Sequence, residues 1–249
     1  MNKNLMALGV ATSCVLMSAA GAQAFTFTTN TIGNGPEDDV ILESVEFDGI
    51  KVENFVFVDE AEIIENELHT TGNTGAASSD ITVMGTVGTN EENPSDEDIV
   101  TSLGNEYLSS IIDTEDDGEF KIKLNFDGAF NKLFFWERGY NSDLKVILEG
   151  VAEPIKILRT QFAQGITDYK LETTEITPNE QKVGSYGIDL LDYGISRYTG
   201  SVTVVSKSSF NGPDFKVVGA QVPEPATMLG LGLVAGAGFL ASRRKQAEA

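Results

Sequence analysis

The sequence is poor in the side chains that most often carry catalysis or bind metals. Its 249 residues include one cysteine, one histidine and one tryptophan. The cysteine, Cys14, lies in the N-terminal segment that we expect to be removed, so the mature chain has no thiol and no disulfide. The lone histidine, His69, lies in the polar stretch NELHTTGNTG. These counts exclude a Cys-His catalytic pair and the usual zinc ligand sets.

The counts do not exclude two other enzyme classes, but the sequence offers little support for either. A Ser-His-Asp triad would depend on His69, which we interpret as a solvated loop residue. Paired carboxylates could hydrolyse a glycosidic bond, but with 38 acidic residues in the chain such pairs arise by chance. We therefore expect a protein without catalytic residues and without a cofactor other than a structural metal ion.

Basic residues are also scarce. There are 17 lysines and arginines against 38 acids, and the formal net charge is -21. Lys3, Arg243, Arg244 and Lys245 lie in the terminal segments, so the part between them is especially poor in positive charge. Such a surface repels phosphate backbones, which argues against a nucleic-acid partner and leaves cations and neutral glycans as ligands.

The N-terminus has the three parts of a secretory signal peptide. Lys3 is followed by an apolar run of small residues, Leu5 to Ala20, and then by Ala22-Gln23-Ala24. Small residues at Ala22 and Ala24 fit signal peptidase, so we predict a signal peptide over residues 1–24 and a mature N-terminus at Phe25. A retained membrane anchor is the less favoured alternative, because the apolar run is short.

The C-terminus combines a proline-flanked acid, a short apolar run and a basic end. Pro223, Glu224 and Pro225 precede the run Ala226 to Ala241, and the basic end consists of Arg243, Arg244 and Lys245. A helix of about 16 residues would cover about 24 Å, which is short of a hydrocarbon core of about 30 Å. The prolines keep the triplet out of that helix, where a protease can reach it.

Together these features resemble the PEP-CTERM sorting signal, which is recognised by exosortase, a membrane cysteine protease-transpeptidase. The resemblance implies that residues 221–249 are a sorting signal with a short transmembrane helix. It also implies that the protein is held in the inner membrane by this tail, is cut near Pro223 to Pro225, and then reaches the cell surface or the extracellular space.

Between the two signals the chain has the pattern of strands. Phe120, Ile122, Leu124 and Phe126 alternate with polar residues, and KLFFWERGY, DLKVILEG, PIKILRTQF, SVTVVSK and DFKVVGA have the same character. The two FDG triplets predict tight hairpin turns. One helix is predicted after Ser95, where Asp98 completes a capping box and apolar residues from Ile99 to Ile111 follow at helix-like spacing. We predict an all-β fold, a single-domain β-sandwich or jelly roll over residues 25–220.

Four blocks carry a second resemblance, to a family of exosortase-dependent bacterial surface proteins. They are Ile111 to Phe120, Leu133 to Val146, Gln181 to Ile195 and Ser208 to Gly219. The family implies display at the surface but no known activity. We therefore expect a non-catalytic structural role. The alternative is a carbohydrate-binding module at the cell surface, for which exopolysaccharide would be the partner.

The aromatic stretch FFWERGY is the candidate for ligand stacking. Trp136 and Tyr140 could stack on a sugar if that face of the strand is exposed. Because side chains alternate along a strand, Phe134 and Trp136 share one face and Leu133 and Phe135 the other. At least one pair should be core, and the alternative favoured by the pattern is that both faces are buried.

One structural calcium ion is predicted from the last strand. The stretch SSFNGPDFKVVG resembles the last strand of galactose-binding-like carbohydrate modules, in which an Asp after a Gly-Pro turn meets acids of an early strand at a calcium ion. The candidates here are Asp214 with Glu43 and Glu46. An acidic sandwich gains by neutralising such carboxylates, but two acids three residues apart face opposite sides of a regular strand.

Overall fold

The computed structural model describes residues 24–35, 39–67, 77–80, 93–115, 118–171 and 180–223, and within them the chain is built mainly of strands. The strands are β1 (Ala24–Phe25), β2 (Thr28–Ile32), β3 (Ile41–Phe47), β4 (Ile50–Val52), β5 (Val58–Asn66), β6 (Ala77–Asp80), β7 (Ile111–Thr114), β8 (Glu119–Phe126), β9 (Lys132–Arg138), β10 (Leu144–Leu148), β11 (Ile155–Ile157), β12 (Ile166–Leu171), β13 (Gln181–Asp189), β14 (Val202–Lys207) and β15 (Phe215–Ala220). The helices are α1 (Asp96–Leu103) and α2 (Arg159–Phe162), with 3-10 turns at Leu190–Tyr193 and Ser208–Phe210. The all-β prediction is confirmed.

The strands form three sheets rather than the two that a simple sandwich would have. The largest sheet has seven strands in the order β1-β13-β9-β15-β7-β6, with β12 paired to β13 beside β1. A five-stranded sheet follows the order β11-β10-β14-β8-β5, and a three-stranded sheet the order β2-β3-β4. We call the seven-stranded sheet the central sheet, because both other sheets contribute to cores shared with it.

One hydrophobic core joins the central sheet to the five-stranded sheet, and a second joins it to the three-stranded sheet. Leu133 and Phe135 of β9 lie in the first core with Ile122 of β8. Phe134 and Trp136 of β9 lie in the second core with Val45 of β3. Every residue of β9 and of β15 is buried as a result. The prediction of two packed sheets is thus incomplete, because a third sheet covers the other face of the central one.

The predicted helix begins where the capping box placed it and ends earlier than the apolar spacing suggested. The Asp98 backbone N–H donates to Ser95 Oγ at 3.3 Å, and the Ser95 backbone N–H donates to Asp98 Oδ2 at 2.8 Å. The helix ends at Leu103 with Gly104 as its C-cap. The later apolar residues belong elsewhere, since Ile111 begins β7.

The two FDG triplets have different roles. Asp48 and Gly49 both have positive φ, 49° and 75°, and join the paired strands β3 and β4 in a tight hairpin, as predicted. Asp127 and Gly128 instead link β8 of the five-stranded sheet to β9 of the central sheet. The hairpin prediction for this second triplet is wrong, because residues that favour a turn do not determine whether the flanking strands pair.

Most of the predicted strands are confirmed as β8, β9, β10, β14 and β15. The stretch PIKILRTQF is strand only over its first part, β11, and then turns into the short helix α2. The backbone N–H of Leu158 donates to Gln161 Oε1 at 2.7 Å at the start of that helix. Such a local side-chain bond is not visible in an alternation pattern.

Candidate functional site

The end of the central sheet where the chain leaves β15 is the first candidate site. Asn131, immediately before β9, donates from Nδ2 to the Val222 carbonyl at 2.8 Å. The Val222 backbone N–H donates back to Asn131 Oδ1, also at 2.8 Å. We call this pair of bonds the Asn131 clamp. Val222 is 5% exposed and belongs to the second core, whereas Pro223 is exposed. Val222, the residue directly before the Pro-Glu-Pro triplet, is therefore buried, and Pro223, the first residue of the triplet, is exposed.

Asn131 is itself held in place by the strands around it. Its backbone N–H donates to the Ala220 carbonyl at 3.0 Å, and its carbonyl accepts from the Leu190 N–H at 2.9 Å. The side chain is 1% exposed. Both backbone groups and both polar atoms of the amide are thus used, so the clamp is a preorganised part of the sheet rather than a surface contact.

The N-terminal end of the described chain lies at the same end of the central sheet. Ala24 pairs with Ile188, Ile188 with Leu133, and Leu133 with Gly219, in one row across four neighbouring strands. Each neighbour is antiparallel, so the start of β1 at Ala24 and the end of β15 at Ala220 lie at the same end of the sheet and face the same direction. We call these two strand ends the chain exits. Three strand spacings separate the two exits by about 14 Å.

The first mature residue predicted from the sequence is built into the fold. The ring of Phe25 lies over Gly187 of β13, where a Cβ added to the glycine would approach the ring atoms to 2.4–2.6 Å. The same ring is 4.6 Å from the Phe47 ring and 5.8 Å from the Phe134 ring, centroid to centroid. Gly187 therefore makes room for an aromatic side chain that ties the predicted N-terminus to the second core.

Buried charges form a second candidate site at the opposite end of the same strands. Arg138 Nη1 donates to Asp214 Oδ2 at 2.8 Å, and the side chain of Arg138 is 1% exposed. Register places Asp214 opposite Arg138 on β9 and, on the other side, next to Asp113 of β7. Glu137 is buried beside this group. Four ionisable side chains thus lie in or next to one row across three strands.

Burial is the main influence on the pKa values of the acids in this row. Burial raises the pKa of Asp214 to about 6, and the negative charge of Glu137 adds to the rise, while Asp113 and Arg138 oppose it. Burial also raises the pKa of Glu137 well above its usual range, despite the Ser142 hydroxyl nearby. Among the described residues, Nε and Nη2 of Arg138 have no hydrogen-bond partner. The row is therefore an internal charge cluster whose protonation depends on pH.

A further buried cation supports helix α1. Lys216 of β15 donates from Nζ to the Ser102 carbonyl at 2.5 Å and to Asn105 Oδ1 at 3.0 Å. Burial lowers the pKa of Lys216 well below its usual value. A donor at the last carbonyls of a helix stabilises the end of that helix, which has no basic residue of its own in its last turn.

The residues predicted to stack on a sugar, Trp136 and Tyr140, do not form an exposed platform. Trp136 is 1% exposed, its ring meets Phe27 edge to face at 5.4 Å, and its Nε1 donates to Thr29 Oγ1 at 2.9 Å. Tyr140 is partly buried, with a φ of 42°. The prediction that Trp136 stacks on a ligand is wrong. Trp136 is a core residue, because the third sheet covers that face of β9.

The three predicted calcium ligands make separate contacts. Asp214 pairs with Arg138, while Glu46 accepts from Asn30 Nδ2 at 3.2 Å. A register shift between β2 and β3 leaves both Glu43 and Glu46 exposed, so they do not face opposite sides of the sheet as a regular strand would require. Within the described ranges, no group of three or more His, Cys, Asp or Glu side chains is arranged to hold a metal ion.

A polar cleft of about 390 Å³ lies near β2 and β12. Its lining includes the hydroxyl side chains of Thr26, Thr28, Thr29 and Thr167, the amide of Gln164 and the carboxylate of Glu46. No pattern in the sequence indicated this cleft, because its residues come from three separate segments, 26–29, 46 and 164–168, of ordinary polar composition.

Several predicted features fall outside the described residues. These are Ala22 of the signal cleavage site, His69, the remainder of the triplet at Glu224 and Pro225, and the basic end Arg243, Arg244 and Lys245. In the part of the chain that the structure describes, no helix is long and apolar enough to cross a membrane. The predicted span at residues 226–241 lies beyond that part.

Comparison with known protein families gives a match at the C-terminal end of the chain. No curated protein and no solved structure shows significant similarity to the chain. Residues 221–245 match the family model described as the PEP-CTERM protein-sorting motif, and this range starts at the residue before the clamped Val222. The match covers the triplet and extends to Lys245, as the sequence pattern indicated. The chain carries a PEP-CTERM protein-sorting motif at its C-terminal end.

Proposed function

We propose that this protein is an exported structural protein of the cell surface or extracellular matrix, delivered by exosortase and without catalytic activity of its own. The observation that carries the proposal is the sorting motif at residues 221–245, since such a motif implies export and processing at the membrane by exosortase. With one histidine and one cysteine in the whole sequence, the side chains offer little for an enzyme.

The geometry of the two chain exits supports this route. A chain with a signal peptide at one end and a sorting tail at the other is tethered to the inner membrane twice before processing. The exits at Ala24 and Ala220 lie at one end of the central sheet, and both point away from it in the same direction. The domain could therefore fold while both tethers remain in the membrane, without either having to pass around it.

The test replaces the triplet Pro223, Glu224 and Pro225 by three alanines in a host that has exosortase. We expect the wild type to lose its tail and leave the inner membrane, and the variant to keep its tail and stay in the membrane fraction. Release of the variant at the wild-type rate would show that the motif does not direct the protein, and the proposal would be wrong.

A second candidate function is carbohydrate binding, with exopolysaccharide as the partner, and the polar cleft favours it. A concave site lined by threonines and a glutamine, together with the acids Glu46 and Asp168, suits a polyhydroxyl ligand. A glycan array with the processed protein tests this. We expect Thr28→Val to weaken any signal and Thr203→Val, on β14 in another sheet, to leave it unchanged. Equal signals from both variants, or none from the wild type, would remove this candidate.

A further inference from the structure

The Asn131 clamp holds the backbone of Val222, which a processing enzyme would have to bind. Both main-chain polar groups of Val222 are already bonded to the Asn131 side chain, each at 2.8 Å. The next residue, Pro223, has no N–H to offer. Val222 is also buried among the apolar side chains of the second core. A cut near Pro223 to Pro225 therefore lies directly against residues that the fold has fixed.

Enzymes that cut peptides bind them as extended chain on both sides of the scissile bond, through main-chain hydrogen bonds. Folded backbone resists cutting until it opens locally. The enzyme's nucleophile attacks the carbonyl carbon, the tail leaves with a protonated amine, and the acyl group passes to water or to another amine. Gln221 and Val222 would lie on the acyl side of that bond. While Asn131 holds Val222, the Val222 N–H is not available to the enzyme, and the Val222 carbonyl is buried and already accepts one hydrogen bond.

We propose that Asn131 restrains tail removal: it holds Val222 in the fold, so that exosortase acts on a form of the domain in which this last segment has opened. The inference rests on the proposed sorting function and adds to it a residue that is distant from the cut in sequence. When opening and closing are fast relative to cutting, the rate of cutting follows the population of the open form. Asn131 then sets that population.

The experiment follows tail removal in the full-length protein, by pulse labelling in a host that has exosortase. Asn131→Ala removes both bonds of the clamp. We expect it to increase the rate of tail removal about tenfold, since each lost hydrogen bond to Val222 favours the open form. Asn105→Ala is the matched control. It removes the side-chain bonds of Asn105 at the end of α1, namely those to the Thr101 carbonyl, from the Tyr107 N–H and from Lys216 Nζ, and leaves both bonds of the Asn131 clamp in place.

A second variant keeps the test valid if Asn131→Ala fails to fold. Four residues, Gly-Ser-Gly-Ser, are inserted between Val222 and Pro223, which leaves the clamp intact and gives the enzyme free chain to grip. We expect this insertion to accelerate tail removal as well. In the inserted background, Asn131→Ala should add no further increase, because opening at Val222 is no longer required.

The outcomes distinguish the role of Asn131 from the sorting function. Equal rates for the wild type and Asn131→Ala, or an insertion that changes nothing, would overturn the role of Asn131. The same increase in Asn105→Ala would also overturn it, because general loss of stability would then explain the effect. If the tail is retained by every variant and by the wild type, the proposed sorting itself fails, and the inference with it.

Discussion

Replacing Asp214 by asparagine should change how stability depends on pH. Asp214 is 8% exposed and accepts a hydrogen bond from Arg138. Its pKa in the folded protein is about 6, raised from 3.8, with burial as the main cause. Between these two values the folded protein keeps a proton that the unfolded chain has lost. The free energy of unfolding therefore falls as the pH rises through this window.

The size of the effect follows from the shift. One pKa unit corresponds to about 1.4 kcal/mol, so the change from 3.8 to about 6 corresponds to about 3 kcal/mol of stability lost between about pH 4 and pH 7. In Asp214→Asn this contribution is absent, and the dependence on pH should be flatter by that amount. The raised pKa of Glu137 acts in the same direction, but it remains in both proteins.

The assay is urea unfolding of the processed wild type and of Asp214→Asn at pH 4, 5, 6 and 7. Asp143→Asn is the matched control. Burial alone would raise the pKa of Asp143, but hydrogen bonds from Lys156 and Arg159 outweigh it and lower the pKa below 3.8, outside the tested range. The control should therefore keep the wild-type slope. Parallel curves for the wild type and Asp214→Asn would refute the reasoning.

Three further predictions test the packing. Gly187→Ala should destabilise the fold by about 1–3 kcal/mol in urea unfolding, because its Cβ would overlap the Phe25 ring; no loss would show that the ring is not held there. Fluorescence of the lone Trp136 should resist quenching by iodide in the folded protein, and ready quenching would contradict its burial. Calcium at matched ionic strength should shift the Tm of the wild type and of Asp214→Asn equally, because Asp214 is paired with Arg138; a shift confined to the wild type would restore Asp214 as a calcium ligand.

The sequence predicted individual strands well because alternation is a local property. The pattern of β8 and the capping box at Ser95 depend on residues close together in the chain, and the structure confirms both. The third sheet was not predicted. Strands β2 to β4 contain a mixture of polar and apolar residues, and nothing local shows which surface they cover. The apolar run of β9 was the available signal, since a strand apolar on both faces needs a neighbour on each side.

The candidate sites were predicted unevenly for the same reason. The sorting motif is a contiguous pattern with its own order of features, so the sequence was sufficient to identify it. The Asn131 clamp joins residues 91 positions apart, and an asparagine before a strand has no signature of that role. The charges at Glu137 and Lys216 looked like ordinary polar positions at strand ends. They are buried by elements that are distant in the chain, which for Lys216 include helix α1.

The most direct test of the central claim is the intact mass of the protein isolated from a native host that has exosortase. We expect a chain that begins at Phe25 and has lost the residues after the Pro-Glu-Pro triplet, so that its mass lacks both terminal segments. A mass that still includes residues 226–249 would contradict the claim that this protein is processed through its sorting motif.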